Sequence, residues 1–357
     1  MNPDLERCLE DLERRIDESV ERELMSRWTA FVEDGCPEEV FSPARPAANP
    51  PRTIWPRVPV NDALADPDRM ALQQYGLASA VLAGGAGDIL NVRANYGTSI
   101  LPLAFGGRPF LMDDSADTLP TSTPVEGGIE AIRELLRDPR DDRMSPLMTK
   151  VLEMGRRFAD IRRKYPKIGR WVHVYHPDVQ GPMDICEVVW GSSLFVAAVE
   201  EPEVVRGFLD LISRTYALFL RRWYEVAPPG MPGRSVHWGL LHGGRLVLRD
   251  DSATNFSPAM YRELIRPFDQ RLFDEFGGGV VHFCGRGDHL VESIAEMRGL
   301  HALHLTQPEL NDMENVFRNT VDKGIRLMAL KAEVVAAARS RGRTLRGLVH
   351  VAGAQSW

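Results

Sequence analysis

From Ile89 to Leu330 the chain alternates short apolar runs with helical patterns, and this alternation narrows the fold more than any other feature. The runs are Ile89–Val92, Pro109–Met112, Trp171–Tyr175, Ser235–Gly239, Arg245–Leu248, Val280–Phe283, Leu300–Leu305 and Ile325–Leu330. The clearest helical stretches are Ile129–Leu136, Val204–Trp223, Pro258–Phe276, His289–Met297 and Met313–Lys323. Strand, helix, strand in repetition implies parallel pairing through right-handed crossovers. About eight such units in about 260 residues match the size of a closed barrel. The expected fold is therefore α/β, a (β/α)8 TIM barrel over residues 85–357. An open doubly wound sheet is the alternative, but no Gly-x-Gly-x-x-Gly stands at an early strand–helix junction.

One unit shows the local logic. Ser257 suits an N-cap and Pro258 the first helical position. Met260, Leu264, Phe268, Leu272 and Phe276 then recur every fourth residue, Gly277–Gly279 stops the helix, and Val280–Val281 begins the next strand. Residues 1–84 read as a helical extension with a proline-rich connector. Leu5, Leu9, Leu12, Ile16, Val20 and Leu24 lie on one face of a helix. That face can pack on the main domain or on a second copy, so a homodimer is expected. Pro43–Ala44–Arg45–Pro46 and Pro50–Pro51 mark the connector, and a helix follows from about Asp66 to Ala83, ended by Gly84–Gly85.

A net charge of −7 argues against a nucleic-acid partner. No apolar stretch approaches the roughly 18 residues of a membrane span. The N-terminus lacks a signal-peptide core, and Cys8, Cys36, Cys186 and Cys284 are scattered, so a cytoplasmic location is expected.

Chemistry concentrates at strand ends. In Gly279–Gly285 the side chains of His282 and Cys284 share one face, and imidazole beside thiolate is a pair of zinc ligands. The plain alternative is a buried thiol beside a core histidine. Asp250 and Asp251 follow Arg245–Leu248 and alternate faces, so one is expected to enter the barrel; Asp250 is assigned the catalytic place. His237 and His242 flank Trp238–Gly239, while His176, Tyr175 and Gln180 cluster after another strand. Arg93 follows the first strand and suits a carboxylate, with Asn95 and Tyr96 beside it. The expected catalytic set is Asp250, Arg93, His237 and Tyr175. Asn95, Tyr96, His176, Gln180, His242 and Gln307 are expected to bind a small-molecule substrate.

Asp250–Asp251–Ser252–Ala253, Ser257–Pro258, Pro267, Phe276–Gly277 and His282-x-Cys284-Gly285 together resemble the uroporphyrinogen decarboxylase and cobamide-dependent methyltransferase superfamily. Asn95–Tyr96–Gly97, Phe105–Gly106 and Gly181–Pro182–Met183–Asp184 add to the likeness, which covers residues 85–335. The resemblance implies a TIM barrel with one of two activities. One branch decarboxylates uroporphyrinogen without a cofactor. The other uses zinc to pass methyl groups between a corrinoid protein and a small thiol. The His282-x-Cys284 pair is similar to the zinc motif, and the decarboxylase Arg-Gln-Ala-Gly-Arg segment is absent. The resemblance thus implies zinc and a corrinoid-bearing partner. The methyltransferases take a third ligand from a cysteine after the eighth strand. Here that stretch reads Met328–Ala329–Leu330–Lys331–Ala332–Glu333, which makes Glu333 the expected substitute, ahead of His237 and Asp250. A metal-free decarboxylase gripping substrate carboxylates with Arg93, and a barrel that only binds a ligand, are the competing readings.

Overall fold

Asp17 divides the N-terminal apolar repeat. Its side chain accepts the N–H groups of Ser19 and Val20, which starts a new helix and ends the old one. The computed structural model describes residues 2–353 and shows two helices where one was expected, α1 (Pro3–Arg15) and α2 (Glu18–Asp34). A short α3 (Val60–Ala65) precedes α4 (Pro67–Gly84), which Asp66 caps and Gly85 ends at φ 67°. The apolar faces of α1 and α2 are covered within the chain: Leu5, Leu9 and Leu12 are buried, as are Trp28 and Phe31.

Eleven strands follow among the described residues. They are β1 (Asn91–Arg93), β2 (Arg108–Phe110), β3 (Thr121–Thr123), β4 (His173–Tyr175), β5 (Arg234–His237), β6 (Leu240–Gly243), β7 (Leu246–Arg249), β8 (Gly279–Phe283), β9 (Leu300–Leu305), β10 (Arg326–Leu330) and β11 (Val349–Val351). The last five form one parallel sheet in the order β11-β10-β9-β8-β7. β1 and β4 form a separate parallel pair. The molecule is thus mixed α/β with a five-stranded parallel sheet.

Two expected parallel strands are hairpin arms instead. Pro109–Met112 falls on β2, which is exposed throughout and pairs antiparallel with β3. Ser235–Gly239 ends in a hairpin, with His237 opposite Leu240. Trp238 and Gly239 take φ of 52° and 80°, the positive values a two-residue hairpin turn requires. Tryptophan seldom adopts that conformation, which conceals the turn in the sequence.

The sheet separates two apolar sets. Leu246, Leu248, Val281, Phe283, Leu303, Leu305 and Leu327 join the larger core with the surrounding helices. Val247, Val280, Ala302 and Met328 join a smaller one with Leu241 of the hairpin and with Trp28, Phe31 and Phe41. Trp28 also donates through Nε1 to the Gly87 carbonyl at 2.8 Å. The extension therefore serves as part of the core; truncating a buried Trp or Phe of this kind costs about 3–5 kcal/mol.

Helix 258–276 matches its expected ends: Ser257 accepts the Met260 N–H and Gly277 closes it at φ 77°. Its middle, Tyr261–Ile265, widens to a π turn. Pro267 has no N–H to give and crowds the carbonyl four residues earlier. That carbonyl, Glu263, instead accepts from Arg206 Nη1 at 2.8 Å. Among the described residues no single helix is long and apolar enough to cross a membrane.

Candidate metal centre

Neighbouring strands in a parallel sheet align side chains in rows across it. Here Arg249 lies opposite His282, His282 opposite His304, and His304 opposite Met328. This row crosses the carboxyl half of the sheet, on the face away from Leu248, Val281 and Phe283. Cys284 continues the His282 face one step beyond β8, and Gly285 then turns at φ 81°, a value glycine adopts freely.

The three groups that meet there are Asp251, His282 and Cys284, whose ligand atoms all lie within 4.8 Å of one another. His282 Nε2 is 3.4 Å from Cys284 Sγ and 3.8 Å from Asp251 Oδ1. Bonds of about 2.0–2.3 Å at tetrahedral angles place ligand atoms about 3.3–3.7 Å apart, so the triad fits a cation such as zinc with little movement. Supporting contacts hold each group. The Cys284 N–H donates to Asp251 Oδ1 at 2.6 Å, and Thr306 Oγ1 donates to Cys284 Sγ at 3.2 Å. His282 Nδ1 meets His304 Nδ1 at 2.7 Å. With Nε2 left bare for a ligand bond, the Nδ1–H of His282 donates to His304, which fixes both tautomers.

Burial governs the protonation states. It holds the His282 imidazole well below its usual range, and His304 and Arg249 add to the effect. Burial raises the Cys284 thiol against the Thr306 hydrogen bond, and raises the Asp251 carboxyl against the Cys284 N–H and Arg249. The imidazole is in its ligating form, while burial works against ionising the thiol and the carboxyl, a cost that a bound cation would offset.

A cationic layer borders the triad. Arg249 Nη1 is 2.8 Å from Asp178 Oδ2, and Arg93 Nη1 reaches the same oxygen at 3.5 Å. Gln180 Nε2 donates to the other oxygen at 2.6 Å. The Arg249 guanidinium lies 4.9 Å over the Trp238 ring, which in turn sits 5.4 Å from His282 and 5.3 Å from His304.

The other expected site residues divide sharply. Glu333 is exposed on helix Ala332–Ser340 and lines a surface cavity of about 730 Å³ with Lys331, Glu309 and Arg343. It does not join the triad, because Ala329 takes φ 56° and the register with β11 shifts between Leu327 and Leu330. Asp250 faces the helices, beside Asp269 and Gly181, with both carboxyl oxygens buried and unpartnered. Asp251 takes the place expected of it. Tyr96 is buried in the helix-side core under Lys150.

Two of the histidines are satisfied internally. His176 donates from Nδ1 to the Pro177 carbonyl and accepts the Val247 N–H at Nε2. His242 donates from Nδ1 to the Gly243 carbonyl at 2.8 Å, so its Nε2 accepts from His237 Nδ1 at 2.7 Å. His237 is left with a buried, unpartnered Nε2. Gln307 accepts the Gly285 N–H and so braces the loop after Cys284. Asn95 and Tyr175 line a cleft with Arg93 and Trp238.

Asp178, Arg249, Trp238 and His304 join the site without being among the residues expected there. His304-x-Thr306 repeats the His282-x-Cys284 spacing on the adjacent strand and marks the same row. No protein-family model matches this chain, and no curated protein is significantly similar to it.

Proposed function

We propose that the chain is a (β/α)8-barrel enzyme of the uroporphyrinogen decarboxylase and cobamide-dependent methyltransferase superfamily. In this reading it transfers methyl groups to or from a small thiol or alcohol at a zinc centre held by Asp251, His282 and Cys284. The observation that carries it is the convergence of those three donors at strand carboxyl ends, where barrel enzymes place their chemistry. The parallel pair β1–β4, tied to β7 where His176 just after β4 accepts the Val247 N–H, supports a barrel wall.

Zinc bound there supplies a Lewis acid that lowers the pKa of a thiol or alcohol. The residues of the chain do the rest. Asp251, His282 and Cys284 would hold the ion, and a site of three protein ligands would leave room for substrate. A carboxylate in the third place makes the donor set harder than one with two thiolates. Arg249, neutralised only in part through Asp178, lends positive potential to a developing thiolate. Trp238 shields His282 and His304 from water. A corrinoid on a partner protein, or a methylated small molecule, is the methyl donor or acceptor.

The test measures zinc content and methyl transfer from methylcobalamin to 2-mercaptoacetate. About one zinc per chain, with turnover lost in Cys284→Ala and after chelation, supports the proposal. Zinc-loaded protein that transfers no methyl group to thiols or alcohols contradicts it. The second reading, decarboxylation, draws on the Arg93–Asp178–Arg249 layer, and turnover of a carboxylated substrate by metal-free protein favours it.

A further inference from the structure

Among the described residues β1 pairs only with β4; on its other edge the Ile89 N–H donates to the Gly239 carbonyl at 2.8 Å, and beyond that point no strand is hydrogen-bonded to it. α4 takes that place, and Gln74 Oε1 accepts the Arg93 N–H at 3.2 Å. A helix cannot follow a strand edge as closely as another strand does. The mismatch leaves a cleft of about 220 Å³ between α4 and β1.

One wall of the cleft is aliphatic: Leu77, Ala78 and Val81, from successive turns of α4. Leu77 is 59% exposed, so an apolar tail laid along it would bury surface now in water. The facing wall carries Arg93 and Asn95, and Trp238 connects the cleft to the His282–His304 pair.

Charge decides the ligand. Arg249 and Gln180 already hold both oxygens of Asp178. Arg93 touches that carboxylate only at 3.5 Å, so two guanidiniums share one negative charge. The Arg93 side chain is 15% exposed, in a site where a positive charge is poorly screened. Asp88 also lines the cleft, but it lies five residues before Arg93 and burial raises its carboxyl, with Arg45 the cation nearest in effect.

We infer that the cleft between α4 and β1 binds a short aliphatic carboxylate, its head on Arg93 and its tail along Leu77, Ala78 and Val81. This binding needs no metal, so it is tested on metal-stripped protein and stands or falls apart from the zinc reading. The probe is hexanoate, titrated by calorimetry. Hexanoate should saturate a single site per chain. Arg93→Gln should weaken it about tenfold or more, the usual worth of a hydrogen bond to a charged group. Leu77→Glu, a change at an exposed position, should weaken it comparably by placing a carboxylate along the tail. Hexylamine and hexanol should bind at least about tenfold more weakly. Circular dichroism verifies that both variants fold, and Asp178 retains Arg249 when Arg93 is lost. No saturable hexanoate binding at millimolar concentration, or equal affinity in wild type and both folded variants, overturns the inference.

Discussion

Asp250 and Asp251 are adjacent in the chain and live in opposite chemical worlds. Asp251 lies on the face that carries Arg249, His282 and Cys284, where its carboxylate accepts an N–H and feels a guanidinium. Asp250 lies on the helix-covered face near Asp184 and Asp269, and all three are buried. The acid of the first region has an N–H and a guanidinium beside it, which suits a group that must meet a cation. The acids of the second have only one another, two tyrosines and a few N–H donors, so burial and mutual repulsion push their carboxyls well above the usual carboxylate range. The difference teaches that side-chain type at a strand end says little until the face is known.

The largest expected effect breaks the first region. Cys284→Ala should weaken zinc binding by more than the roughly 10–100-fold typical of second-shell changes. Asp251→Asn should weaken it by about tenfold, while Asp250→Asn leaves it unchanged, because an amide on the helix side touches no ligand. Competition with a chromogenic chelator reads all three. Equal losses from Asp250→Asn and Asp251→Asn would erase the distinction between the faces.

The second region should respond to pH instead. Burial, with Asp184 adding, pushes the Asp269 carboxyl from 3.8 up to about 8. The folded chain therefore holds this proton more tightly than the unfolded chain. The stability it contributes is fully present below about pH 4 and is lost as pH rises through about 8. Asp269→Asn keeps the neutral shape and should flatten that decline. At pH 8 the variant should be the more stable of the two by several kcal/mol, at about 1.4 kcal/mol per pKa unit, and should melt at the higher temperature. At pH 4 the two proteins should melt together. Melting curves with the same gap at both pH values would show that Asp269 does not titrate in this window.

The smallest expected effect is at Glu333. Glu333→Gln should leave zinc affinity and Tm as they are, since the residue is exposed and outside the triad. A tenfold loss of zinc affinity would return Glu333 to the centre.

Much of this is legible in the residues themselves. The spacing of His282 and Cys284 states its own parity, and the caps of helix 258–276 follow from Ser257, Pro258 and Gly277. Asp250 was misplaced for a physical reason. Leu246, Val247 and Leu248 are all apolar because β7 is buried on both faces, so hydrophobicity cannot tell which alternate set faces the site. Glu333 was misplaced because the left-handed turn at Ala329 ends the alternation, and nothing in Met328–Ala329–Leu330 announces it. The hairpin at Trp238–Gly239 lacks the Asn-Gly or Asp-Gly that usually marks one. The split at Asp17 could have been seen, since aspartate is a preferred N-cap.

Zinc K-edge X-ray absorption on the zinc-loaded protein tests the central claim most directly. The account predicts one sulfur at about 2.3 Å with nitrogen and oxygen neighbours at about 2.0–2.2 Å, and loss of the sulfur shell in Cys284→Ala. A spectrum without sulfur, or one that Cys284→Ala leaves unchanged, would contradict it.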